Sequence, residues 1–173
     1  EITCKFHVMD NRKSWHEIYS NIQDYLHGQK MKIIFDEDLM YYYQGRCSVS
    51  EWESSKVTST IVIKALVEPY KQELYSSLED WKWDTFNFDS GIIREYKDII
   101  VDEEYTLNIV GTRMQVIPTF TTNAEMKVEF NGHTYYLPLG SSRILNIVIK
   151  EGNNELKFKG KGKISVDYRG GRL

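Results

Sequence analysis

Apolar and polar side chains alternate along most of this chain, most insistently from Ile92 to Tyr168. Met126, Val128 and Phe130 recur at a spacing of two. So do Tyr135 and Leu137, then Leu145, Ile147 and Ile149, then Leu156 and Phe158, then Ile164, Val166 and Tyr168. That period sends one face of an extended segment into a core and the other into water. Asn131-Gly132, Gly140-Ser141, Gly152-Asn153-Asn154 and Gly160-Lys161-Gly162 interrupt the runs. Breaks of this kind predict tight turns between antiparallel neighbours. The expected element over 91–173 is an antiparallel β-sandwich.

The first third reads differently. Ile2 to Met9 predicts a strand, stopped by Asp10-Asn11. Ser14 followed by Glu17 forms a capping box, in which each side chain satisfies a free backbone N–H. Trp15, Ile18, Tyr19, Ile22, Tyr25 and Leu26 then fall at helical spacing on one face, and Gly28 closes the helix. Met31 to Phe35, Leu39 to Tyr43, Gly45 to Trp52 and Val57 to Glu68 predict an antiparallel meander, with a turn at Asp36-Glu37-Asp38. Pro69 ends the last strand because proline cannot donate to a ladder. Residues 1–75 are therefore expected to form an α+β domain, one helix packed on a sheet. The chain as a whole is expected to be mostly β.

Between the two regions, residues 76–90 form an aromatic junction. Trp81, Trp83, Phe86 and Phe88 alternate there with polar residues. They suit packing in a crease between domains, an exposed edge strand, or a platform on which sugar rings stack. Twelve Tyr, seven Phe and four Trp against three Pro fit a strand-rich protein with packed interfaces.

Charge and chemistry narrow the classes. A net charge of −3 argues against a specific nucleic-acid binder. No apolar run approaches the roughly eighteen residues that span a bilayer. The chain opens on Glu1 without the plan of a signal peptide, so upstream residues are expected to have been removed or to belong to a longer chain. Cys4 and Cys47 sit on strand-like alternation without metal-ligand spacing, which predicts free thiols in a reducing compartment. His7, His16, His27 and His133 are scattered, so no metal is expected. The acidic runs Asp36-Glu37-Asp38 and Asp102-Glu103-Glu104 read as solvated turns rather than the carboxylate pair of a glycosidase. Gly160-Lys161-Gly162 precedes no helix and offers a phosphate no cradle. Residues 150–173 carry seven positive and three negative charges, a basic stripe that suits an acidic partner or protects edge strands. No cofactor and no catalytic residue is expected.

Several pieces taken in order resemble the distal tail protein (Dit) of long-tailed bacteriophages and prophages. They are the helix with Trp15, the step Tyr42-Tyr43-Gln44-Gly45-Arg46 and the strand end Glu68-Pro69-Tyr70. Then come Asp80 to Phe88, Val116-Ile117-Pro118-Thr119-Phe120 and the closing Tyr168-Arg169-Gly170-Gly171. The resemblance implies a structural virion component of the tail tip, not an enzyme, assembled in the bacterial host cytoplasm. It implies a homo-hexameric ring built by the N-terminal domain, which here would lack its first strands, and a galectin-like C-terminal sandwich. Its partners would be the tail tube, the tape measure and the tail-tip hub or receptor-binding protein. This fragment alone is expected to be a monomer or weak oligomer. Interface or stacking residues would be Trp81, Trp83, Phe86, Phe88, Trp15 and Trp52. The alternative is a carbohydrate-binding β-sandwich module that recognises a host cell-wall glycan.

Overall fold

The computed structural model describes residues 1–9, 14–55, 58–79 and 93–173. The chain divides into two compact units. One is Glu1–Phe35 with Tyr42–Lys71, and the other is Asp36–Tyr41 with Gln72–Leu173. Strands dominate both, and one helix is present among the described residues. The fold is mostly β and antiparallel, with an α+β first unit, as the alternation of side chains predicts.

In the first unit, β1 (Ile2–Val8), β2 (Lys30–Ile33), β3 (Tyr41–Ser54) and β4 (Ser59–Val67) form a sheet in the order β1-β4-β3-β2. Cys4 stands opposite Ile63, which stands opposite Val49. Phe6 stands opposite Ile61, which stands opposite Trp52. Val49 and Trp52 are three residues apart, so unbroken alternation would put them on opposite faces. A bulge between Val49 and Glu51 restores the parity and brings Trp52 onto the face of Ile61. Gly45 lies so close to β4 that a Cβ would stand 2.4 Å from the Leu66 carbonyl oxygen, which excludes a side chain there.

Helix α1 (Trp15–Leu26) begins as predicted: Ser14 Oγ accepts from Glu17 N at 3.2 Å. At its other end Gly28 adopts φ +76° and donates to the Cys47 carbonyl at 2.8 Å, tying the chain back to β3. Tyr25 departs from the predicted apolar face. It is 71% exposed, because its position lies at the margin of the stripe set by Trp15, Tyr19, Ile22 and Leu26.

The longer segment of the second unit begins within the short strand β5 (Lys71–Glu73) and continues through β6 (Ile99–Gly111), β7 (Thr119–Thr122), β8 (Met126–Phe130), β9 (His133–Leu137), β10 (Gly140–Arg143), β11 (Gly152–Asp167) and β12 (Gly171–Arg172). β11 organises it. One edge pairs with β6 from Gly152 to Ile164. The other pairs with β8 at Lys157–Lys159 and with β7 at Ile164–Asp167. β9 extends from β8 and β10 from β7. Inward residues close one core, with Ile109, Phe120, Val128, Leu137 and Phe158 fully buried and the Phe120 and Phe158 rings edge to face at 6.1 Å. Asn154 is buried at the start of β11. Its amide donates to the carbonyls of Ile109, Lys150 and Gly152 and accepts from Lys150 N, so the polar group is fully used.

Three sequence expectations change here. Gly160-Lys161-Gly162 is no turn but lies inside the sixteen-residue β11. Its glycines take φ +148° and +152°, Gly160 opposite Glu103 at φ +69° and Gly162 opposite Val101, and mark the place where β11 leaves β8 and joins β7. Side chains are excluded as well: a Cβ at Gly162 would stand 2.5 Å from Asn123 Oδ1 and 2.8 Å from Met126 Cε. Likewise, Asp102-Glu103-Glu104 belongs to β6 rather than to a turn. The run Leu145, Ile147, Ile149 forms no strand. Ile147 and Ile149 are fully buried and Leu145 is 71% exposed, but among the described residues the run pairs only through a single bridge between Ile149 and Val116. Burial alone imposed the period.

Candidate functional site

Trp15 and Trp52 meet within the first unit. Their rings are edge to face at 6.4 Å, and Tyr19 lies against Trp52 at 5.0 Å. The bulge in β3 and the helical spacing of Trp15 and Tyr19 bring the three rings together, and they fasten α1 to the sheet. Trp81, Trp83, Phe86 and Phe88 lie outside the described residues. Farther along the helix, a groove of about 450 Å³ opens between Ile22 and Leu26 of α1 and Phe6, Val8, Met9 and Ile63. Phe6 is 50% and Met9 77% exposed. β1 is the end strand of its sheet, so its outer edge has no strand partner among the described residues. The site thus combines a free row of backbone donors and acceptors with an apolar hollow beside it.

In the second unit the end of β11 holds a polar cluster that sequence reasoning missed. Arg94 donates from Nη1 and Nη2 to the two carboxylate oxygens of Glu73 at 2.7 and 2.8 Å, and Gly170 N donates to Glu73 Oε2 at 2.9 Å. The Arg94 guanidinium also lies over the Tyr168 ring at 4.9 Å, and Tyr168 stacks on Tyr96 at 6.1 Å. Burial opposes the charge of Arg94, but the Glu73 carboxylate outweighs it and holds the guanidinium above its ordinary range. Burial likewise pushes the Tyr168 phenol well upward, against the pull of Arg94. Ser77 completes the cluster by donating to the Val166 carbonyl at 2.8 Å and accepting from Tyr168 N at 2.9 Å. Nothing in the sequence signals this pairing, because Glu73 and Arg94 are brought together only by the tertiary fold.

A second polar group lies on the outer face of β10-β7-β11. Arg143 and Asp167 both stand opposite Thr119, one on each side. With Val116, Ile117 and the Arg169 stem they line a hollow of about 290 Å³.

The basic stripe is largely neutralised within its own sheet. Lys157 meets Glu104 at 2.7 Å and Lys159 meets Glu129 at 3.0 Å, while Lys161 stands 3.5 Å from Asp102. The hydrogen bond from Lys159 holds the Glu129 carboxyl below its ordinary range, and the one to Glu104 raises Lys157. Both thiols are free, Cys47 buried and Cys4 half-buried. Among the described residues, no group of three His, Cys, Asp or Glu side chains is placed to hold a metal ion. No described helix is long and apolar enough to cross a membrane.

Neither protein-family models nor curated proteins give a match to this chain.

Proposed function

We propose that this chain is a structural component of a bacteriophage tail tip. It would act like the distal tail proteins that join the tail tube to the hub and receptor-binding apparatus. The observation that carries this reading is the open edge of β1 beside the apolar groove of the first unit. A ring of identical subunits requires heterologous contacts, with one surface of each subunit meeting a different surface of the next. An unpaired strand edge with an adjoining apolar hollow supplies one such surface through main-chain pairing and apolar burial. The mostly antiparallel second unit, with its closed core, suits a rigid outer lobe.

On this reading the first unit builds a hexameric ring. The tube, tape measure and hub are its neighbours, and the chain reaches the virion after assembly in the host cytoplasm. Gold-labelled antibody against the chain, applied to native particles, tests it by electron microscopy. Label confined to the junction of tube and tip is expected. Label along the tube, on the head, or on no particle at all refutes the reading. The isolated chain is expected to scatter light as a monomer or weak oligomer.

A further inference from the structure

We propose that a second copy of this chain covers the open edge of β1 when the chain is free, β1 pairing antiparallel with β1 about a two-fold axis at Cys4. In an antiparallel ladder the N–H and C=O of one residue point to the same side, and those of the next residue to the other. Cys47 donates to the Gln29 carbonyl at 3.0 Å and accepts from Gly28 N at 2.8 Å, so its groups point away from β4. Ala65, opposite Cys47, therefore turns its own groups toward Ile2, its partner on β1. By alternation Ile2, Cys4, Phe6 and Val8 bond inward, and Thr3, Lys5 and His7 present N–H and C=O to the free edge. β1 runs seven residues with no proline and no shift of register against β4, so nothing in its backbone blunts that edge.

The side chains select the register. A two-fold axis normal to the sheet keeps the apolar side chains of both copies on one face, and it sets one residue opposite itself. Centred on Lys5, the pairing puts lysine against lysine; centred on Phe6, it puts Lys5 against His7; centred on Thr3, it leaves Phe6 and His7 unpaired. Centred on Cys4, it places Glu1 against His7 of the second copy, Ile2 against Phe6 and Thr3 against Lys5. Thr3 and Lys5 are both outward residues, so each such pair exchanges both N–H···O bonds. Phe6, 50% exposed in the single chain, gains Ile2 of the second copy at the rim of the apolar groove. Cys4 is half-buried and bonds inward, so it meets itself at a non-hydrogen-bonded position. Cα atoms there approach to about 4.5 Å, within the reach of a disulfide. The inference does not rest on the tail-tip reading; a ring would take the same edge only after the dimer opens.

Sedimentation equilibrium of the reduced chain is expected to give monomers and dimers only, with a dissociation constant on the order of 10–100 µM. Thr3→Pro removes an outward N–H that the ladder to β4 does not use. It should leave the thermal melt close to that of the parent and weaken the dimer about tenfold or more. Diamide should join two chains at Cys4: the two thiols become one disulfide, and their two hydrogens pass to the diamide, which is reduced to its hydrazine. Peptide mapping should find Cys4 bound to Cys4, and Cys4→Ser should yield no linked dimer. If Thr3→Pro misfolds, the mapping on the parent decides. A chain that stays monomeric well above that concentration range, a folded Thr3→Pro that dimerises like the parent, larger oligomers, or linkage through Cys47 in preference would each overturn the proposal.

Discussion

Truncating Arg94 or Glu73 probes what holds the end of β11. Their side chains are only 9% and 14% exposed, and two hydrogen bonds of 2.7 and 2.8 Å join them. Removing one member of a buried pair leaves the other charge uncompensated, at about 3–5 kcal/mol. The two ends of that range can be assigned. After Arg94→Ala the Glu73 carboxylate still accepts from Gly170 N, so the loss should be about 3 kcal/mol. After Glu73→Ala the guanidinium keeps, among the described residues, only Tyr168, through its ring and its hydroxyl, and about 4–5 kcal/mol is expected. Replacing both as Glu73→Leu with Arg94→Met leaves no orphaned charge and should cost less than either single change. A chain of two units does not guarantee one unfolding transition, so the assay is hydrogen exchange at the Ile109, Val128 and Phe158 amides, which report the second core directly. A loss of 3 kcal/mol accelerates their exchange roughly a hundredfold. Single variants within about 0.5 kcal/mol of the parent, or a double variant as poor as the sum of the singles, would refute the reasoning.

Gly162→Ala forces a side chain into a positive-φ position already closed by Asn123 and Met126, and a loss of about 1–3 kcal/mol in the same exchange assay is expected. Neutralising Asp102, Glu103 and Glu104 together as amides should release the lysines of β11 and lengthen retention on a heparin column, whereas the parent chain should elute early. Stability should also fall in alkali. The buried Tyr168 phenol titrates above its unfolded value near 10, so stability holds below about pH 10 and declines above it, as the unfolded chain loses the proton first. Tyr168→Phe should flatten that decline in urea melts at pH 10–11, and an unchanged slope would assign it to other groups.

Much of this fold was legible because burial writes a period into the chain. Met126, Val128 and Phe130 opposite Leu137 and Tyr135 gave a hairpin, and Asn131-Gly132 at φ +51° and +77° supplied its turn. The Ser14 cap and the Trp15 stripe gave the helix. The failures have equally local causes. Glycine marks both turns and places of close approach, and at Gly160 and Gly162 the second use prevailed. Leu145, Ile147 and Ile149 alternate in burial without a ladder. Acids in a row read as a turn until their lysine partners on β11 are known. The polar cluster at Glu73 and the row at Arg143, Thr119 and Asp167 depend on pairings distant in sequence. No spacing could have predicted them, whereas Trp15 and Trp52 could be named as large aromatics on predicted elements.

The two units differ in how far each covers its own apolar surface, and that difference has a thermodynamic consequence. The second unit buries Phe120, Phe158 and Leu137 completely. The first buries no residue of α1 and leaves Phe6 and Met9 half or more in water. A twelve-residue helix is marginal alone, and tertiary packing of its apolar face is its main support. Half-covered packing therefore makes α1 less firmly held in isolation than the strands of the second core, with the Trp15–Trp52 contact as its principal hold. Exchange at the amides of Ile22, Gln23 and Leu26 should accordingly proceed through a local opening of lower free energy than exchange in β11. Trp52→Ala should lower it further, by about 1–2 kcal/mol for a half-buried aromatic, without altering the second unit. If the groove beside α1 is an assembly surface, those amides become protected when the chain enters its particle. Equal protection of α1 and β11 in the free chain would mean that the first unit needs no neighbour to complete it, and the open edge of β1 would lose its meaning as a joint.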